Sequence, residues 1–284
     1  MMREFSERMK VVSHSPVKVF IASYIPRYWY PYRLQHAGKA RPWLKDESLE
    51  VIVDSAIMED EIGNEETLDK ADELNADYVI PNDTLHDQGA TTDAVHEFVD
   101  LYERHPCRAT PLIPLQPPYD EHYRELDGFS HYVLGGIAAA HPDVQLREIR
   151  RFREVAGDHV YAHGLGLGAS LTLIKALRDE PRLLDSLDLS TPEKVIRGEK
   201  LPDKSWTQRA FEYPTGEESS TVRAQFAQAV TLQLNYMLGP FCSDDLLTDE
   251  YEQTELPGLI AATDGGTPCN VQPDTDHTEA DRDD

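Results

Sequence analysis

Tyr132-Val-Leu-Gly-Gly-Ile137 and Val160-Tyr-Ala-His-Gly-Leu-Gly166 bracket a helix-like stretch from Val144 to Val155. Each run is short, apolar and interrupted by glycine, so the three pieces read as strand, crossover helix and strand. Two strands joined in this way run parallel. The rhythm extends in both directions. Upstream, strand-like 49–55 precedes helix-like Glu65 to Asn75, strand-like 77–82 precedes Thr92 to Arg104, and strand-like 110–116 precedes Tyr119 to Leu126. Downstream, Ser170 to Arg178 leads into strand-like 183–189, and near the N-terminus Val17 to Ser23 supplies one more strand.

Seven parallel strands with intervening helices predict an α/β protein of the TIM-type (β/α)8 barrel class, one strand short of closure. The missing strand is expected between Pro192 and Thr215, or the barrel is irregular there. Residues 1–16 read as a polar lead and 17–242 as the barrel, closed by an amphipathic helix from Ser219 to Leu238 that carries Val222, Phe226, Val230, Leu234 and Met237 at helical spacing. Residues 24–45, with three prolines and Gly38, read as a loop. Residues 243–284 form an acidic tail that is expected to be disordered.

Composition narrows the function classes. A chain of 284 residues that is 40% hydrophobic can bury one sizeable core. It holds no run of eighteen apolar residues, and Met-Met-Arg-Glu-Phe-Ser-Glu-Arg lacks the apolar stretch of a signal peptide, so a soluble cytoplasmic protein without a membrane partner is expected. Cys107, Cys242 and Cys269 are odd in number and widely spaced, which argues against a disulfide framework or a paired-cysteine zinc site; neither metal nor cofactor is expected. The formal net charge of -25 repels nucleic acid unless positive charge is gathered locally. Residues 244–284 carry thirteen of the acids against one Arg, and only nine of the twenty-seven basic residues are Lys, a balance that looks like salt-adapted surface chemistry. High salt screens such repulsion.

Against that background, 24–45 contains no acid at all. Arg27, Arg33, Lys39, Arg41 and Lys45 alternate there with Tyr24, Tyr28, Trp29, Tyr30, Tyr32 and Trp43. Basic groups neutralise phosphates and aromatic faces stack on unpaired bases, so the segment is a candidate nucleic-acid-binding element, although some of its aromatics would equally pack on the barrel.

In a β/α barrel the strand C-terminal ends build the active site. Asp54, Asp83 and Asp188 lie at such ends, beside Gln116, Gly135-Gly136 and Gly164-Leu-Gly166. Paired carboxylates support substitution at a sugar anomeric carbon, one attacking and the other moving a proton. Any one of these Asp residues alone reads as readily as a helix cap or turn, and the combination favours a site. Glycine at a tip shapes a turn or lets a flat ligand lie against the backbone. His163 reads first as a buried, satisfied histidine or a pocket wall, and only then as a proton carrier.

In this order, Asp54-Ser55, Asp83, Gln116, Gly135-Gly136-Ile137-Ala138, Tyr161-Ala-His-Gly164-Leu-Gly166 and Asp185-Ser-Leu-Asp188 before Thr191-Pro192, the chain resembles the guanine transglycosylase family over about residues 49–192. That family exchanges guanine in a polynucleotide for a 7-deazaguanine. The resemblance implies Asp188 as nucleophile, Asp54 as acid/base with Ser55 supporting it, and Asp83 and Gln116 as readers of the base. The backbone at Gly135, Gly136 and Ile137 would contact exocyclic groups, and Tyr161 to Gly166, including His163 and Gly164, would form a pocket wall. His163 stands where the family usually has an apolar residue. The family's tRNA-modifying members carry three Cys and one His for zinc near the C-terminus, a spacing this chain lacks, and no further RNA-binding domain is expected after the barrel. The resemblance is therefore strongest to the DNA-modifying branch associated with viruses and mobile elements, which implies DNA and a 7-deazaguanine base as partners, tRNA as the alternative polynucleotide, and host cytoplasm if viral. A homodimer, or a helicase or ATPase partner, stays open. The competing classes are a non-catalytic nucleic-acid-binding barrel subunit and an unrelated barrel hydrolase acting on a small sugar or nucleoside.

Overall fold

A computed structural model of the protein describes residues 2–22, 30–55, 62–167, 170–197, 219–240 and 242. The chain divides at Leu247, and all of the second unit, Thr248–Asp284, lies outside the described residues, as does the whole acidic segment 243–284.

Nine parallel strands follow one another as β1 (Lys18–Ala22), β2 (Tyr32–His36), β3 (Glu50–Asp54), β4 (Tyr78–Ile80), β5 (Thr110–Pro111), β6 (Ile113–Leu115), β7 (His131–Leu134), β8 (Tyr161–Gly164) and β9 (Ser186–Leu189). Their order in the sheet is β5-β4-β3-β2-β1-β9-β8-β7-β6. The two terminal members, β5 and β6, are separated by Leu112 alone and occupy one strand path. Two prolines cause the break. The N–H groups of Thr110 and Leu112 donate to Asp77 and Val79 on the β4 side, at 2.8 Å each. By alternation Pro111 faces β7 and Pro114 faces β4, and neither has a hydrogen to donate. Counted as one path, β5 and β6 bring the ring to the eight positions of a TIM-type barrel.

The strand that completes the ring is β2, inside the acid-free segment read above as a loop. It pairs with β1 through Ala22 and Leu34 and with β3 from Tyr32↔Glu50 to His36↔Asp54. The expected strand between Pro192 and Thr215 is not the closing one: Thr191–Arg197 is helical, and 198–215 lies outside the described residues. The polar lead is also a helix, α1 (Met2–Ser13). The other helices are α2 (Trp43–Asp46), α3 (Asn64–Glu73), α4 (Gln88–Tyr102), α5 (Tyr119–Glu125), α6 (Pro142–Ala156), α7 (Leu171–Asp179), α8 (Thr191–Arg197) and α9 (Ser220–Leu238).

Strand alternation sorts side chains between two layers. Phe20, Leu34, Ile52, Ile80, Leu112 and Val133 form one buried cluster in the barrel interior. Val19, Ile21, Ile113, Leu115, Tyr132, Leu134, Ala162, Leu187 and Leu189 face outward against helical Ile149, Phe152, Leu173, Leu177, Val230 and Leu234. Val51, Val53 and Val79 do the same against Leu68, Ala71 and Phe98. Within α9, Val230, Leu234 and Met237 are buried as the spacing predicts, whereas Val222 is exposed. Asn235 on that helix donates to the buried Tyr30 hydroxyl at 2.6 Å, tying the start of β2 to the helical layer.

Leu34 separates a barrel strand from a loop. If β2 closes the ring, Leu34→Ala opens a cavity beside Phe20 and Ile52 and costs about 2–5 kcal/mol in urea denaturation. Arg41→Ala, at an exposed position just beyond, changes stability by less than about 0.5 kcal/mol.

Candidate active site

The strand tips assemble two polar clusters. The first is built on Gln116, the residue after β6. Its backbone N–H donates to His122 Nδ1 at 2.8 Å, and its carbonyl accepts from Gln88 Nε2 at 3.0 Å. His122 is fully buried in α5, and burial lowers its pKa. Because Nδ1 accepts, the ring hydrogen sits on Nε2, 3.1 Å from Thr92 Oγ1. His122 thus acts as a neutral brace, and sequence reading alone did not find it. The side chain of Gln116 is oriented as firmly. Its Oε1 accepts the N–H of His86, a residue held at φ 61°, at 3.0 Å, and its Nε2 donates to Asp83 Oδ2 at 2.6 Å. The His86 contact decides which way round the amide lies.

Asp83 stands three residues beyond β4 in a largely dehydrated position. Burial pushes its carboxyl up to about 6, with the Gln116 amide and a backbone N–H holding it from rising further. Gly136 forms the adjoining backbone at φ 79°, and a Cβ there would come within 2.6 Å of Gln116 Oε1 and 2.9 Å of Pro117 Cδ. Only glycine fits. At Gly135 a Cβ would make ordinary contacts at 3.5 Å or more, and its carbonyl accepts from the Tyr119 hydroxyl. Ile137 is buried in the outer core, and its carbonyl accepts from Gln145 Nε2 at 3.0 Å, which commits that oxygen to α6.

The second cluster surrounds Asp188, which is 6% exposed near the end of β9. Its Oδ1 accepts the Gly166 N–H at 2.6 Å and lies 3.3 Å from Nε2 of the fully buried His163. Among the described residues no hydrogen bond is found to Oδ2. Gly166 adopts φ 63°, and a Cβ on it would lie 3.4 Å from Ala138 Cβ, so the loop that holds Asp188 abuts the loop that follows Gly136. Gly164 serves packing: a Cβ there would collide with the Leu167 side chain.

Asp54, the last residue of β3, is half-buried and alternates with interior Ile52, which directs it into the barrel mouth. Ser55 is 2% exposed and donates to Pro81 O at 3.4 Å, a contact between tips. Among the described residues no group of three or more His, Cys, Asp or Glu is placed to hold a metal ion, and no helix is long and apolar enough to cross a membrane.

The basic aromatic segment is largely reassigned. Arg33 is fully buried in β2, and a guanidinium enclosed there does not reach a polynucleotide at the surface. Lys45 bonds Asp77 at 2.6 Å; Asp77 also accepts the Val51 N–H, so the pair braces the N-terminal ends of β3 and β4, opposite the tips. Arg27 lies outside the described residues, as do Tyr24, Tyr28 and Trp29. Lys39 and Arg41 follow the C-terminal end of β2, on the side of the two clusters; Arg41 is exposed and Lys39 half-buried. Tyr30 is buried, and Tyr32 packs 5.4 Å from Phe20 in the barrel.

Compared with known protein families and with curated proteins, the chain matches none.

The raised carboxyl of Asp83 has a measurable sign. Between about pH 4 and about pH 6 the unfolded chain has released this proton while the folded protein keeps it, so this group's contribution to stability falls as pH rises. The unfolding free energy of Asp83→Asn, relative to the unmodified protein, therefore gains about 2 kcal/mol over that interval. Urea denaturation at a series of pH values reads this difference directly.

Proposed function

We propose that the protein is a guanine transglycosylase that exchanges guanine in DNA for a 7-deazaguanine through a covalent ester on Asp188. The observation that carries the reading is the Asp83–Gln116 pair, a carboxylate and an amide held 2.6 Å apart over a glycine backbone. Guanine offers two adjacent donors, N1–H and the 2-amino group, beside the acceptor O6. Asp83 can take the donors, and the second hydrogen of Gln116 Nε2, the one not given to Asp83, can go to O6. A 7-deazaguanine presents the same edge, so one cluster serves both leaving and entering base. That symmetry suits exchange better than hydrolysis. The target nucleotide must first leave its stack to reach the strand tips.

Asp188 attacks C1′ with one carboxylate oxygen while the bond to guanine N9 breaks and its electron pair leaves with the base. Asp54 supplies the proton that the departing base needs and later removes one from the incoming base. Two displacements retain the sugar configuration. A barrel mouth closed over base and sugar keeps water from the ester. Lys39 and Arg41 beside the mouth supply positive charge for the strand, which high salt helps an acidic chain to approach. The scattered positions 107, 242 and 269 of the cysteines favour DNA over tRNA.

Radiolabelled guanine in duplex DNA, single-stranded DNA and tRNA tests the reading, with and without 7-cyano-7-deazaguanine. Without the incoming base, release from DNA is expected to stop near one equivalent of protein, with it to continue, and in both cases to drop about 1,000-fold or more in Asp188→Asn. Base affinity is expected to weaken as pH falls through about 6, because protonated Asp83 accepts one donor fewer. Exchange on tRNA alone would reassign the polynucleotide. No exchange on any of the three, at high or low salt, contradicts the proposal.

A further inference from the structure

Behind Asp188 runs a row of hydrogen-bonding groups that base exchange as described above leaves unused. The Tyr161 hydroxyl donates to Ser186 Oγ at 2.7 Å, and Ser186 Oγ lies 2.7 Å from His163 Nδ1. Burial raises the Tyr161 pKa far above the usual phenol range, so this hydroxyl stays a donor. Ser186 is fully buried; its Oγ accepts from Tyr161 with one lone pair, and donating its own hydrogen to His163 Nδ1 is the arrangement that leaves a hydrogen, not a lone pair, on Nε2 facing Asp188 Oδ1 at 3.3 Å. An imidazole that accepts at Nδ1 carries its hydrogen on Nε2. Phe20 packs against the ring at 5.7 Å and 78°, which fixes its plane. Nε2 then lies fully buried, 3.3 Å from Asp188 Oδ1, without an aligned hydrogen bond. An enclosed N–H in that state costs energy that a small movement of the carboxylate removes.

We infer that His163 is a positioning residue for Asp188: its Nε2–H, with the Gly166 N–H, holds Oδ1 and leaves Oδ2 as the atom that bonds to the sugar. The inference rests on Asp188 being the nucleophile. In the first displacement an Oδ2 electron pair forms the bond to C1′ as the C1′–N9 pair departs with guanine, and Oδ1 becomes the carbonyl oxygen of the ester. In the second, the incoming base forms its bond to C1′, the Oδ2–C1′ pair returns to the carboxylate, and the base proton passes to Asp54. Negative charge then spreads onto Oδ1, where the Gly166 N–H already donates and the His163 Nε2 lies 3.3 Å away. Donors aimed at developing charge speed the step in which that charge appears, here breakdown of the ester. A residue serving only to fill space would leave the two displacements in the same ratio.

Two measurements decide it. Nitrogen-15 spectra of histidine-labelled protein are expected to show His163 with its hydrogen on Nε2; a hydrogen on Nδ1 overturns the assignment. Rapid-quench analysis of ester on the protein separates formation from breakdown. His163→Phe is expected to slow breakdown relative to formation by about tenfold or more, and His163→Gln, which keeps an N–H donor, to restore most of the ratio. An unchanged ratio in His163→Phe removes the role from His163 while leaving Asp188 as nucleophile. Absence of ester in the unmodified protein removes the nucleophile itself, and with it this role for His163.

Discussion

Pairing of β2 with both of its neighbours is the interaction on which the rest of the molecule depends. Without Ala22↔Leu34 on one side and His36↔Asp54 on the other, β1 and β3 would be open edges, and the barrel would have no enclosed mouth. Closure also fixes which side chains enter that mouth. Because strand side chains alternate, a slip of one residue in β3 would turn Asp54 toward the helices and Val53 inward. The hydrogen-bonded register of a few strands therefore places every tip residue, and the chemistry proposed for the site inherits its geometry from the ladder.

Within that enclosure the carboxylates meet different surroundings. Asp83 is left with one amide and one backbone donor in a dehydrated position, and its carboxyl rises to about 6. That keeps it ionised at neutral pH, close enough to its titration for a ligand's donors to matter. Asp188 instead meets a glycine N–H at 2.6 Å and an imidazole nitrogen at 3.3 Å, both on the same carboxylate oxygen. At the opposite end of the barrel Lys18 pairs with Glu50 at 2.7 Å and Lys45 with Asp77 at 2.6 Å. Two of the few lysines thus close the bottom of the barrel, whereas Lys39 and Arg41 follow the C-terminal end of β2.

Strands β3, β4, β7, β8 and β9 were legible because each couples an apolar run to a polar or glycine tip. The tips in their order carried most of the candidate site. Strand β2 was hidden by its own alternation: Tyr32, Leu34 and His36 face inward while Arg33 and Gln35 are buried on the outer side, the reverse of what polar residues flanked by Pro31 and Pro42 suggest. The acid-free stretch reads both as a surface for phosphates and as packing on the barrel; Arg33 is interior and Lys45 pairs with an aspartate thirty-two residues away, while Arg41 is exposed. His122 escaped because its partners, the Gln116 N–H and Thr92, come together only through packing of α4 and α5 beside β6; its one local signal is that it shares a buried face with Tyr119 and Leu126. His163 was visible as a residue, but its relation to Asp188 needed the β8–β9 register His163↔Ser186 to be seen.

The most direct measurement is peptide mapping of the protein quenched in acid while it turns over guanine-containing DNA. The account predicts a deoxyribose-linked adduct on the peptide that contains Asp188, chased away when 7-cyano-7-deazaguanine is added before the quench. Guanine release without any adduct, or an adduct on Asp54, would contradict it.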